Sequence, residues 1–185
     1  MSNSIPRATT ITAASPGSFQ IPGDRLVAEL ERLGLRYLSR GAVPEPVAPL
    51  AHEVLIAGLA SSPEARLQVA LVPLFLWRPE YAAAALNVAD QLCGQARVML
   101  QCCYSAAAAL QPRYVRRLKE LGCLNAPLPD IFAAALDLPP MVDPASRLAA
   151  VAARHAQMSG EAINWLGTYE HAAKTFMRFA EPLPA

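Results

Sequence analysis

Lysine is nearly absent from this chain of 185 residues: Lys119 and Lys174 are the only two among 16 basic side chains. Fifteen acids leave a net charge of +1, which excludes a globally basic nucleic-acid coat and a polyacidic tail. Histidine is as scarce. His52, His155 and His171 fall into no His-x-x-x-His or His-Glu-x-x-His spacing, so a zinc site on one helix has no support. Cys93, Cys102, Cys103 and Cys123 form no Cys-x-x-Cys pair. Adjacent helical residues point about 100° apart, so Cys102 and Cys103 are poorly placed to share an ion and read as small buried hydrophobes. There is no Gly-x-Ser-x-Gly elbow, no phosphate-binding Gly-Lys-Ser/Thr loop and no dinucleotide-binding glycine pattern. The most apolar run, Val69–Trp77, is far short of the roughly 20 residues that span a bilayer. Tyr81–Leu110 is long enough but carries Asn87, Asp90, Gln91, Gln95, Arg97 and Gln101, which a bilayer core penalises.

Met1–Gly23 lacks the apolar stretch of an export signal, and its only charge is Arg7. It reads as a disordered tail over 1–23, with a single domain over 24–181. The expected location is the cytoplasm, with reduced thiols. Few residues are β-branched, 36 are alanine and 54% are hydrophobic, so the expectation is an all-α bundle around one long Ala-rich helix, with no sheet. The preference for arginine, alanine and proline points to GC-rich coding and a bacterial source.

Apolar spacing and capping residues place the helices. Asp24 caps a first helix, Arg25 to about Arg40, with Leu26, Leu30, Leu33 and Tyr37 inward and Gly41 as its stop. A second covers Val47–Ala60. Ser61-Ser62-Pro63-Glu64 starts a third, which runs to Trp77 with a kink or break at Pro73. The spine is expected over Pro79–Gln111, about 50 Å if unbroken, with Asn87, Gln91, Gly94, Gln101 and Ser105 on its polar face. Pro112 should bend or interrupt the chain before Arg113–Leu121. Then come a loop over 125–129, a short helix over Asp130–Leu138, a helix over Ala145–Met158 capped by Asp143, and a last helix over Gly160–Ala180.

Two groups of residues are candidates for contact. Arg113, Arg116, Arg117 and Lys119 concentrate positive charge, and the three arginines share a helical face suited to phosphate or to an acidic partner. Trp77 with Arg78, and Asn164 with Trp165, are candidate interface residues, because amphipathic indoles at the edge of an apolar stripe often mark partner contacts. Asp90, Arg97, Gln101 and Tyr104 are the polar groups that would line a pocket along the spine. Arg147 and His155 are the nearest approach to the Arg–His pattern of the HEPN ribonucleases, but the gap is long and Leu148 stands where that family has a polar residue. No catalytic residue, cofactor or metal is assigned.

Val72–Tyr81, the segment around Tyr104–Gln111, Leu128–Phe132 and Ser159-Gly160 with Asn164–Tyr169 resemble stretches of small uncharacterised all-helical bacterial proteins. Such proteins are found beside nucleotidyltransferase-fold proteins of toxin–antitoxin and phage-defence type. The resemblance implies a partner of that fold and carries over no site residue. Three functions follow as expectations. The first is a non-enzymatic interaction protein, binding that partner or a second copy of itself. The second is a nucleic-acid-binding regulator using the Arg113–Lys119 face. The third is an enzyme with a pocket along the spine.

Overall fold

The computed structural model describes residues 21–36, 48–123, 126–140 and 143–181. Among them every regular element is helical: α1 (Gly23–Arg32), α2 (His52–Ala60), α3 (Ala65–Val69), α4 (Leu71–Trp77), α5 (Ala82–Gln91), α6 (Gly94–Glu120), α7 (Pro144–Ser159) and α8 (Trp165–Phe179). The chain is all-α. Residues 1–20 of the expected tail (1–23), Tyr37 and residues 38–47, including Gly41 and the start expected for the second helix, lie outside the described residues, while Gly23 already belongs to α1. Among the described residues no single helix is long and apolar enough to cross a membrane.

The core forms where α4 meets the middle of α6. All seven residues of α4 are buried, which identifies it as a central helix rather than an amphipathic surface one. Phe75 of α4 meets Tyr104 of α6 edge-on at 4.9 Å between ring centroids, and Tyr104 meets Phe132 at 5.3 Å. Helices α2, α7 and α8 close around the same axis. The alanines of α6, among them Ala106, Ala107 and Ala109, are buried where the neighbouring helices approach.

The helix breaks differ instructively from those the prolines imply. Pro73 is the third residue of α4, so its missing N–H falls among the unpaired amides of a first turn; the break lies upstream, at Ala70 between α3 and α4. α3 starts at Ala65, two residues later than Pro63 indicates, because Ser62 Oγ accepts from Glu64 N (3.2 Å) in a local turn. The spine is not one helix from Pro79. It is interrupted at Leu92 and Cys93, both extended, and restarts at Gly94 with φ +55. That conformation is open to glycine at no steric cost. Pro112, by contrast, lies inside α6 and does not end it. It is exposed, while Leu110 and Gln111 before it and Leu118 after it are buried, so tertiary contacts hold the helix on both sides of the missing bond.

Residues 132–138 close a single turn, not the expected helix. Leu138 N donates to Ala133 O and Asp137 N to Ala134 O, with Asp137 at φ +51. The segment is pinned to α6 by Gln111, which donates to Ala126 O (3.2 Å) and accepts from Leu128 N (2.7 Å). Tyr104 Oη donates to Pro129 O (3.1 Å). Asp143 caps α7 as expected, accepting from Ser146 N at 2.8 Å.

α1 starts at Gly23 with no side-chain cap, so Asp24 lies in its first turn instead of capping it, and it ends at Arg32, eight residues short of the expected Arg40. Leu35 N donates to Leu30 O and Gly34 N to Glu31 O, with Gly34 at φ +96. A Cβ on Gly34 would stand 3.2 Å from the Trp77 ring. Gly34→Ala combines left-handed strain with that contact and should lower stability by about 1–2 kcal/mol in urea unfolding. An unchanged midpoint would show that the turn can relax.

Candidate functional site

The C-terminal half of α6 presents the basic segment. Arg113 Nη1 lies 2.7 Å from Glu170 Oε1 of α8, tying the two helices together. Arg116, the most exposed of the three arginines, pairs with Glu120 one turn on at 3.4 Å. Arg117 is held on both sides: Nη2 donates to Ala180 O (3.2 Å) and Nη1 lies 3.5 Å from the Glu120 carboxylate. Lys119 is exposed and has no ion pair among the described residues. The arginines do share a side of α6, but Glu120 and Glu170 sit among them.

Beside Arg113 the surface falls into a cleft of about 490 Å³ between α6, the start of α7 and α8. Its walls are largely apolar: Leu110, Pro112, Leu148 and Leu166, with Arg113 and Glu170 among the residues that line it. Leu166 remains 37% exposed, an open apolar position at the start of α8. The volume lies in the range of small-ligand sites and also suits one or two bulky side chains of a partner. The cleft was not legible as a site because its lining comes from three separated segments.

Both indoles belong to the core, which corrects their reading as interface residues. Trp77 is 2% exposed; its Nε1 donates to Leu33 O at 2.5 Å and its ring meets Phe176 edge-on at 5.5 Å. Arg78 stays at the boundary, near the Trp77 ring and 3.7 Å from Glu80. Asn164 is the N-cap of α8, accepting from Gly167 N at 3.0 Å, so α8 begins at Trp165 and not near Gly160. That start puts Trp165, Tyr169, Ala172, Ala173, Phe176 and Met177 on the inner face, with Leu166 turned out.

Trp165 stacks on His155 of α7 at 3.6 Å, with the planes 18° apart. His155 Nδ1 lies 2.5 Å from Tyr169 Oη. A phenol held as a donor makes Nδ1 the acceptor and places the imidazole proton on Nε2. His155 is thus a core residue, and burial pushes its pKa down to about 4. Arg147, eight residues earlier on α7, is engaged elsewhere, donating to Pro139 O (2.8 Å) and pairing with Asp130. Eight residues of helix are about 12 Å, so Arg147 and His155 form no common site.

The groups expected along the spine are also dispersed. Asp90 lies on α5 and Arg97 on α6, across the Leu92–Cys93 break. Gln101 and Ser105 are buried rather than solvent-facing. Burial raises the Tyr104 phenol, and lifts the thiols of Cys102 to about 12 and of Cys123 to about 11, with Cys103 well above its ordinary value. These side chains are held in their protonated, weakly nucleophilic forms. Among the described residues no three His, Cys, Asp or Glu side chains come together as a metal site would need. No protein-family model, curated protein or solved structure matches this chain.

Proposed function

We propose that this chain is a helical interaction protein, and that it receives another protein at the cleft between α6, α7 and α8. The observation that carries this reading is the open apolar cleft walled by Leu110, Pro112, Leu148 and Leu166, with an interhelical ion pair among its lining. A concave apolar surface with charged residues at its edge is the usual form of a site that takes an anchor side chain. The protonated state of the buried thiols and phenols fits a scaffold better than a nucleophilic enzyme. The first partner to examine is a nucleotidyltransferase-fold protein, since Val72–Tyr81 and the other segments named above resemble proteins that accompany that fold.

Affinity purification of the tagged full chain from its host tests the reading. A stoichiometric protein partner is expected with the wild type. Leu166→Asp, which puts a third carboxylate beside Asp143 and Glu170 at an exposed position, should reduce the recovered partner at least about tenfold while leaving the unfolding midpoint nearly unchanged. Retention of the partner by Leu166→Asp, or recovery of nucleic acid and no protein, would overturn it.

A further inference from the structure

The charge on this molecule is divided between its parts. From Arg113 onward in α6, and from Glu170 onward in α8, there are six cations, Arg113, Arg116, Arg117, Lys119, Lys174 and Arg178, against two carboxylates, Glu120 and Glu170. The other described residues hold eight cations and twelve carboxylates; one of those carboxylates, Glu181, lies just beyond α8 and is paired with Arg36 at 3.5 Å. A chain neutral overall therefore carries a basic end, and that end adjoins the cleft through Arg113 and Glu170, which belong to both.

The two helix ends lie together. The Arg113–Glu170 pair joins them at one level and the bond from Arg117 to Ala180 O joins them further on. Lys174 and Arg178 follow Glu170 at four-residue intervals on one exposed stripe of α8. Neither has an ion pair among the described residues. The Arg178 guanidinium lies 5.4 Å from the Phe179 ring centroid, and Phe179 is 57% exposed, the most open large apolar side chain described. Leu166 in the cleft and Arg178 are twelve residues apart on one helix, about 18 Å.

We infer that the segment received at the cleft is an acidic stretch of a partner protein, with a bulky apolar anchor at the Leu166 end and Asp or Glu side chains over Lys174 and Arg178. This inference rests on the reading of the cleft as a protein-docking site. Charge complementarity selects the acid: at this end of the molecule Lys119, Lys174 and Arg178 have no ion pair among the described residues. The same surface is ill suited to a nucleic-acid backbone. Phosphates repeat without interruption, and would meet Glu170 beside Arg113 and Glu120 between Arg116 and Arg117. A peptide can leave uncharged residues opposite those two carboxylates. The apolar walls of the cleft also match a hydrocarbon side chain rather than a sugar-phosphate.

A photo-crosslinking residue placed at Leu166, and separately at Phe179, in the full chain within its host tests this. Mass spectrometry of the adducts is expected to find one partner segment from both positions, with Asp and Glu concentrated in the peptide captured from Phe179. Lys174→Glu combined with Arg178→Glu should cut the Phe179 yield about tenfold, and added salt should act in the same direction. Capture of a neutral or basic segment at Phe179, or a yield indifferent to the charge reversal, would overturn the acidic assignment while leaving the cleft reading standing. A nucleic-acid adduct, or this chain itself, at Phe179 would overturn it equally. Absence of any protein adduct from Leu166 would instead defeat the docking reading underneath it.

Discussion

Trp77→Ala is expected to lower the free energy of unfolding by about 3–5 kcal/mol, the range for removing a fully packed aromatic. Three losses coincide there. The cavity opens beside Phe176, whose ring meets the indole edge-on, and beside Gly34, which lies directly under it. The Leu33 carbonyl at the end of α1 loses the N–H of Trp77, its side-chain donor. The junction of α1, α4 and α8 loses the side chain that all three share. Such a change is a large part of the ~5–15 kcal/mol that holds an ordinary domain together. Trp77→Phe keeps an aromatic in place and should cost less, retaining the edge contact and losing the hydrogen bond. Urea unfolding followed by far-ultraviolet circular dichroism separates the two variants. A loss under about 0.5 kcal/mol for Trp77→Ala would mean that the indole is a surface group after all.

The same residue marks how far the sequence could be read. Helical class, the Asp143 cap and the end of the arginine segment near Leu121 follow from local chemistry, and local chemistry is what a single sequence displays. Proline misled in both directions because its effect depends on position. Pro73 is harmless in a first turn, and Pro112 is tolerated where buried neighbours hold both sides of the gap. The interruption at Leu92–Cys93 had one visible signal, Gly94, which the alanine periodicity on either side concealed. Trp165, which the sequence puts at the edge of the apolar stripe, faces inward, and Leu166 faces out. Moving the start of α8 to the Asn164 cap leaves the angular pattern intact but shows which neighbours it meets.

The candidate site was legible only in its charges. Arg113, Arg116 and Arg117 announce themselves by spacing, yet Glu170, which engages the first of them, is 57 residues away in sequence. The cleft depends on the same long-range pairing, since α6, α7 and α8 each supply one wall. Conversely, the indoles that read as candidate interface residues are consumed by the core. Each is paired with a ring from another helix: Trp77 with Phe176, Trp165 with His155. Periodicity identifies the inner face of one helix; it does not identify the helix that face will meet.

The His155 cluster gives the molecule an acid sensitivity with a defined window. In the unfolded chain His155 takes up its proton near pH 6.5, whereas in the native core burial delays protonation until about pH 4. Between those values the unfolded state binds a proton that the native state refuses, so stability falls as the pH falls. The slope is about 1.4 kcal/mol per pH unit, and the whole interval amounts to about 3 kcal/mol. Above pH 6.5 the contribution is fully present; below pH 4 both states are protonated and the His155 contribution falls no further. The Asp143 cap acts in a separate window. Its carboxyl is held below its ordinary value by the Ser146 bonds, so its stabilisation is lost only as the pH drops through 3.8 and lower. His155→Asn removes the titrating ring and keeps an amide where Nδ1 faces Tyr169. Its stability at pH 7 should be lower than that of the wild type, because the stack on Trp165 is lost. Its stability should nevertheless change less steeply from pH 6.5 to pH 4, and the difference between the two urea-derived profiles isolates the histidine. Parallel profiles would show that burial does not lower the His155 pKa below its unfolded value.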